Sequence, residues 1–280
     1  MTKIISVLLF ISSVSFGQIH PFINNGHLLQ PNQLPQVLLL KSNSILGGSC
    51  TGELVGPRVV LTAAHCCKAG DSNVVGYSKT KSVTIHPSYN KVTTPYYGYA
   101  LPEIYAIEND ICIIELESNV LNVTPFSLPV HDPILNVEHI IVGVGENNLK
   151  QRQYGFLNVT KFTEKGIQTQ ADVNYGRPGD SGGGILSGKI GQEVELLGIT
   201  SLSTYQCGES KGANVRPGNS YSCSTEKSTD PEIVFVPPRT TGFASLRNQS
   251  NVSFLRDFAN QNSIEICGLN AQCRPIVFEH

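Results

Sequence analysis

The chain has 280 residues, 40% of them hydrophobic and 15% charged, with a formal net charge of −2. That length admits one large all-β unit or two medium domains. A balance so close to neutral offers no basic surface, so neither nucleic acid nor an anionic membrane is expected as a partner.

The chain opens on Lys3 as a positive n-region, a continuous apolar run over 4–11, and Ser15-Phe16-Gly17, which places small residues where a signal peptidase reads. The run is too short to span a bilayer comfortably. Residues 1–17 therefore read as a secretory signal peptide, with Gln18 first after cleavage, a secreted product and no membrane contact afterwards. Eight cysteines in an exported chain read as disulfides rather than metal ligands.

Short β-rich runs follow at 36–41, 59–62, 83–86, 111–116, 140–144, 184–186 and 195–201, punctuated by Gly, Pro and Asn. This pattern predicts an all-β sandwich or barrel without helical alternation. One helix is expected over 253–261, where Phe254, Leu255 and Phe258 share a face and Ser253 stands as N-cap. The stretch 91–107 carries Tyr96, Tyr97, Tyr99 and Tyr105, and 208–240, rich in Ser, Pro and Lys, reads as a tethered surface loop. Four sequons begin at Asn122, Asn158, Asn248 and Asn251, acceptors only in a host that glycosylates.

Three motifs carry chemistry. An apolar strand ends in Thr62-Ala63-Ala64-His65-Cys66, Asn109-Asp110-Ile111 leads into a second apolar strand, and Gly179-Asp180-Ser181-Gly182-Gly183 frames a serine with glycines. A serine hydroxyl is a poor nucleophile unless a base takes its proton and donors hold the oxyanion that forms. Singly, each motif has an ordinary explanation as a packed histidine, a turn aspartate or a Gly-rich turn. In the order His, Asp, Ser, the three resemble the chymotrypsin-like serine protease family. Supporting matches are His86-Pro87-Ser88-Tyr89, Ser127-Leu128-Pro129 and Gly143-Val144-Gly145. The remaining histidines (His20, His27, His86, His131, His139 and His280) lack such context and read as surface or structural.

The resemblance implies two six-stranded antiparallel β-barrels with a C-terminal helix. The domain would span 23–262, split near 125–135, followed by a C-terminal extension over 263–280. It implies a secreted serine endopeptidase in which Ser181 attacks, His65 moves the proton and Asp110 orients the imidazole, with the N–H groups of Gly179 and Ser181 as oxyanion hole. Polypeptides would be substrates and protein protease inhibitors partners of a monomer, and no metal or organic cofactor is implied. Cys50–Cys66 is carried over from the family. Cys267 and Cys273 would close a small C-terminal loop, Cys207 and Cys223 the insertion. By elimination Cys67 would meet Cys112, both lying two positions beyond residues that must touch.

The substrate pocket departs from the family. Tyr175 stands where trypsin-type members carry an aspartate, and Arg177 replaces a cysteine. Ser201 and Ser203 would form one wall and Gly242 the other. Tyr175 could fill the floor and favour small or medium apolar residues, or offer its hydroxyl; Arg177 could instead recruit an acidic side chain. A basic preference is disfavoured. The 91–107 tyrosines either overhang the substrate or pack beneath a surface loop. Phe22-Ile23-Asn24-Asn25-Gly26 resembles the family's mature start, so 18–22 would be a short pro-segment. Either the chain is cut near Phe22–Ile23 or Asp180 finds an internal partner. The rival function is a non-catalytic homologue acting as an extracellular binding module. An α/β-hydrolase esterase fails on the order of the triad and on the missing Gly-x-Ser-x-Gly elbow.

Overall fold

The computed structural model describes residues 23, 25–42, 48–89, 108–145, 151–164, 166–171, 174–204 and 239–279. The expected signal peptide, Gln18, the tyrosines of 91–107, Cys207, Cys223 and the 208–238 part of the insertion lie outside the described residues, as does the side chain of Ser203.

A two-residue strand, β1 (His27–Leu28), precedes the first barrel. That barrel comprises β2 (Val37–Ser42), β3 (Ser49–Gly56), β4 (Val59–Thr62), helix α1 (Ala64–Ala69), β5 (Asp71–Val74), β6 (Thr80–Ile85) and β7 (Cys112–Leu116). Its six strands pair antiparallel in the order β5-β2-β3-β4-β7-β6. The second barrel takes β8 (Glu138–Gly143), β9 (Gln153–Thr163), β10 (Gly166–Ala171) and β11 (Gly184–Leu186). After the short β12 (Glu193–Val194) it adds β13 (Leu196–Thr204) and β14 (Arg239–Ser245). Its ring runs β8-β9-β10-β14-β13-β11 and closes through the β11–β8 pairing, with β1 appended to β9. Helix α2 (Gln249–Asn262) and β15 (Ile276–Val277), paired with β12, complete the chain. The molecule is thus all-β, built as two closed or nearly closed six-stranded barrels.

Burial explains which strands were legible. β4 and β7 are buried at every residue and read as apolar runs interrupted only by Thr62 and Glu115. The second barrel closes over Ile141, Leu157, Val159, Ile167, Ile185 and Phe243, and Ile23 joins that core with no exposed surface. After α2 the chain turns back inward: Ile264, Ile266 and Phe278 are buried, and the Cys267 amide donates to the Val55 carbonyl. The segment therefore packs on β3 near Cys267 and, through β15 and Phe278, on β12 and Tyr154.

Several local expectations are corrected. The C-terminal helix begins four residues before Ser253, because Asn248 caps it: its Oδ1 accepts from Ser250 N at 2.7 Å and Asn251 N at 3.3 Å. The first turn is polar and gave no apolar signal. The second helix, α1, is a short turn forced by the chain's departure from β4, with Gly70 closing it at φ 90°. Strand bounds move as well: the 83–86 run belongs to β6, which starts at Thr80 and ends at Ile85, and 239–240 of the expected loop belong to β14. Among the sequons, Asn251 is buried and its amide donates to the Ser245 carbonyl at 2.8 Å, so it is no acceptor in the folded chain. Asn122 and Asn158 are exposed.

Among the described residues three disulfides are present: Cys50–Cys66, Cys67–Cys112 and Cys267–Cys273. The first ties β3 to α1 and the second ties α1 to the start of β7, so the two residues that follow His65 are both cross-linked.

Glu53 on β3 is fully buried, and among the described residues neither carboxylate oxygen meets a donor in good hydrogen-bond geometry. Burial pushes its pKa well above the usual 4.5, with the Gly184 amide and the Arg152 charge opposing only in part. An acid whose folded pKa is raised contributes its full stability below the unfolded pKa and loses it as pH rises toward the folded value. Glu53→Gln is therefore expected to melt above the wild type at pH 8, by an amount equivalent to about 1–3 kcal/mol. The gap should shrink toward pH 4. Thermal melts at several pH values check this, and Asp180, which titrates in both proteins, cancels in the difference.

Candidate active site

His65 is the second residue of α1, and the turn out of β4 presents it to Asp110. Both its backbone N–H and its ring donate to that carboxylate: His65 N to Oδ1 at 2.9 Å and Nδ1 to Oδ2 at 2.8 Å. Asp110 has no exposed surface and also accepts from Ser201 Oγ at 2.7 Å. The aspartate sits just before β7, after Asn109, which adopts φ 54°, a conformation asparagine tolerates better than most residues. With the neutral ring's proton held on Nδ1 by Asp110, Nε2 is left as the acceptor. The His65 side chain keeps 28% of its surface exposed. Burial, and then the Asp110 charge, push the neighbouring Tyr89 hydroxyl up to about 12.

Ser181 is half-buried at the crown of the turn between β10 and β11. Its carbonyl accepts Thr51 N at 2.8 Å and lies 3.7 Å from Cys66 Sγ, beside His65 in sequence. The turn is fixed by Asp180 N to Arg177 O at 3.0 Å, Gly182 N to Thr200 O at 2.8 Å and Gly183 N to Asp180 O at 2.9 Å. Gly179 and Gly182 adopt φ of 90° and 83°, which is why glycine stands on both sides of the Asp-Ser pair. Among the described residues, the N–H groups of Gly179 and Ser181 donate to no backbone carbonyl.

Asp180 is fully buried beneath the turn. Its Oδ1 accepts from Gly145 N at 3.1 Å and its Oδ2 from Arg177 N at 2.9 Å. Burial pushes its pKa up to about 7, against the pull of those two amides and of the Arg177 charge. The backbone nitrogen of Ile23 donates instead to Gln153 Oε1 at 3.1 Å.

The expected pocket residues fall on three adjacent segments. β13 and β14 pair with Leu202 opposite Gly242 and Ser203 opposite Thr241. The 174–178 segment joins them through Gly176 N to Thr241 Oγ1 at 3.2 Å. Tyr175 and Arg177 are half-buried on that segment. Ser201, read from sequence as pocket wall, spends its hydroxyl on Asp110. That role, like the contacts of Thr51, carries no motif of its own in the sequence. Sγ atoms of Cys50 and Cys66 lie within 4.8 Å of a His65 ring nitrogen. Both sulfurs are consumed in one disulfide, so the trio is no thiolate metal site.

Two antiparallel barrels, with a histidine paired to a buried aspartate on one and a glycine-framed serine on the other, make the layout of a chymotrypsin-like protease fold. The family model described as Trypsin matches residues 23–218, and the chain belongs to that family. It is 30% identical over 118 residues to a chymotrypsin of Phaedon cochleariae, covering 40% of this chain and 42% of the relative. It is 25% identical over 263 residues to Trypsin Tyr p 3.0101 of Tyrophagus putrescentiae, covering 75% and 85%. It is 32% identical over 102 residues to Trypsin 5G1 of Aedes aegypti, covering 31% and 34%. The matched region thus spans less than half of the chymotrypsin and of Trypsin 5G1. Among solved structures, a scabies mite inactivated protease paralogue superposes with a TM-score of 0.55 at 16% identity, covering 84% of this chain and 99% of that one. That similarity bears on the fold alone. No helix among the described residues is long and apolar enough to cross a membrane.

Proposed function

We propose that the protein is a secreted serine endopeptidase. Ser181 Oγ attacks the scissile carbonyl of a polypeptide while His65 Nε2 takes its proton. The oxyanion is held by the N–H groups of Gly179 and Ser181. His65 then returns the proton to the leaving amine, and an acyl-enzyme remains on Ser181 until water, deprotonated by His65, releases it. Asp110 keeps the imidazole in the required tautomer and stabilises its charged form. The observation that carries this reading is the Asp110–His65 pair: a carboxylate with no solvent exposure, fed by three donors, fixes the ring proton on Nδ1.

A fluorophosphonate probe is expected to label the secreted protein, with mass spectrometry locating the adduct on Ser181. Absence of labelling, also after removal of residues 1–22, would favour the rival reading of a binding module. On the substrate side, Tyr175 in place of a carboxylate argues against Lys or Arg at the cleavage position. Profiling on a peptide library reads the preference. For activation, the two amides on Asp180 support an internal partner. Ile23, buried in the second barrel, supports a cut before it, and N-terminal sequencing of active protein separates the two.

A further inference from the structure

Thr51 lies on β3 of the first barrel, fully buried, directly after Cys50. Every polar group it owns is engaged across the barrel boundary or along it. Its Oγ1 donates to the Gly179 carbonyl at 2.9 Å and accepts from Val144 N at 3.1 Å. Its backbone N–H donates to the Ser181 carbonyl at 2.8 Å, and its own carbonyl accepts from Thr62 Oγ1 at 2.7 Å.

The geometry points to Thr51 as the positioning residue for the oxyanion pocket. The two pocket donors, Gly179 N–H and Ser181 N–H, belong to peptide planes separated by one plane, the Gly179–Asp180 peptide. That central plane is held at both ends: its carbonyl by Thr51 Oγ1, its N–H by the Arg177 carbonyl at 3.0 Å. Rotation about the Gly179 Cα would re-aim one donor relative to the other, and glycine opposes such rotation least of all residues. The hydroxyl of Thr51 supplies the restraint that the glycine lacks. A donor pair is effective only when it is aimed in advance at the position where charge develops. The same hydroxyl accepts from Val144, whose neighbour Gly145 holds the buried Asp180. One side chain of the first barrel therefore sets the turn of the second.

This inference rests on the catalytic reading of Ser181, and the experiment separates the two. Thr51→Val keeps the β-branched shape and removes the hydroxyl, whereas Thr51→Ser keeps the hydroxyl and loses a methyl. Turnover is measured on a peptide chosen by library profiling, and crystal structures of wild type and Thr51→Val are compared. The expected result is a kcat lowered by about 10- to 100-fold in Thr51→Val. KM should stay within about twofold, Thr51→Ser should restore kcat, and the Gly179–Asp180 peptide should turn from its wild-type orientation. A purely structural role for Thr51 would not confine the loss to kcat. If Thr51→Val does not fold, Thr51→Ala takes its place under the same criteria. Wild-type kcat in the hydroxyl-free variant, or an unmoved peptide, would overturn the inference. Should the wild type neither turn over nor accept the fluorophosphonate, the catalytic reading falls. The orientation of that peptide then decides the inference alone, a turned plane upholding it and an unmoved one overturning it.

Discussion

Asp110→Asn is expected to lower kcat by about 10⁴-fold while the chain still folds. The reason lies in the count of donors around the side chain. Oδ1 receives the His65 backbone N–H, and Oδ2 receives both His65 Nδ1 and Ser201 Oγ. Three donors converge on the group, which suits an acceptor at both positions. An asparagine keeps one oxygen. Placed toward the backbone N–H, it turns its NH₂ on Nδ1 and Ser201; the ring must then accept at Nδ1 and carry its proton on Nε2. Placed the other way, the NH₂ opposes the His65 amide. Complete burial of Asp110 excludes water as a substitute acceptor. In the first orientation the fold survives, because Ser201 can rotate its hydroxyl to accept, but the base that Ser181 needs has become a donor. Steady-state kinetics beside a thermal melt check this: a kcat within tenfold of wild type, with an unchanged melting temperature, would remove Asp110 from its proposed role.

The same carboxylate shows why part of this molecule was legible in sequence and part was not. Asp110 and His65 sit at the mouths of β7 and β4, whose residues are buried on both faces, so the apolar runs announce the strands and the polar residue at their end stands out. Gly179 and Gly182 were visible because a left-handed backbone restricts the choice of residue. Thr51 had no such mark. A threonine in a strand is ordinary, and the partners of its hydroxyl lie on the second-barrel side, 93 and 128 residues away. Ser201 was placed on the pocket wall as part of the run that follows Gly198, and nothing in the sequence tells which way a strand residue turns at a bulge; the pairing shifts between Thr200 and Leu202. Among the strands that escaped notice, β3, β9, β10 and β14 mix Ser, Thr, Gln, Asn and Gly with their apolar residues. Their place is set by closure of the ring, a long-range property that a local window does not contain. The C-terminal helix was found by its apolar face and misjudged at its start, where Asn248 rather than an apolar residue carries the signal.

Gly182→Ala is expected to cost about 4 kcal/mol or more, at the far end of single-substitution effects, and to lower the melting temperature by roughly 8–16 °C. Two separate penalties act at this position. The residue holds φ 83°, where an L side chain pays about 1–2 kcal/mol. In addition, a Cβ built there would overlap Thr62 Oγ1 and the Thr51 carbonyl and would approach Ala63 N at 3.1 Å. The first two atoms are joined by a buried hydrogen bond of 2.7 Å, and the added methyl would intrude on it. Neither is the free end of a flexible chain: one is strand backbone, the other a hydroxyl on a buried β-branched residue. Relief therefore requires the barrels to part where Thr51 N meets the Ser181 carbonyl, so activity should fall further than stability. Gly191→Ala provides the control. Its φ is 82°, and nothing lies within 4 Å of the added Cβ, so it bears the conformational penalty alone. Melting temperatures of the two variants then divide the cost. If Gly182→Ala melted with Gly191→Ala, the barrel contact beneath the serine would be soft. A gap of several degrees would mean that the glycine is retained there because the two barrels leave no room for a methyl group.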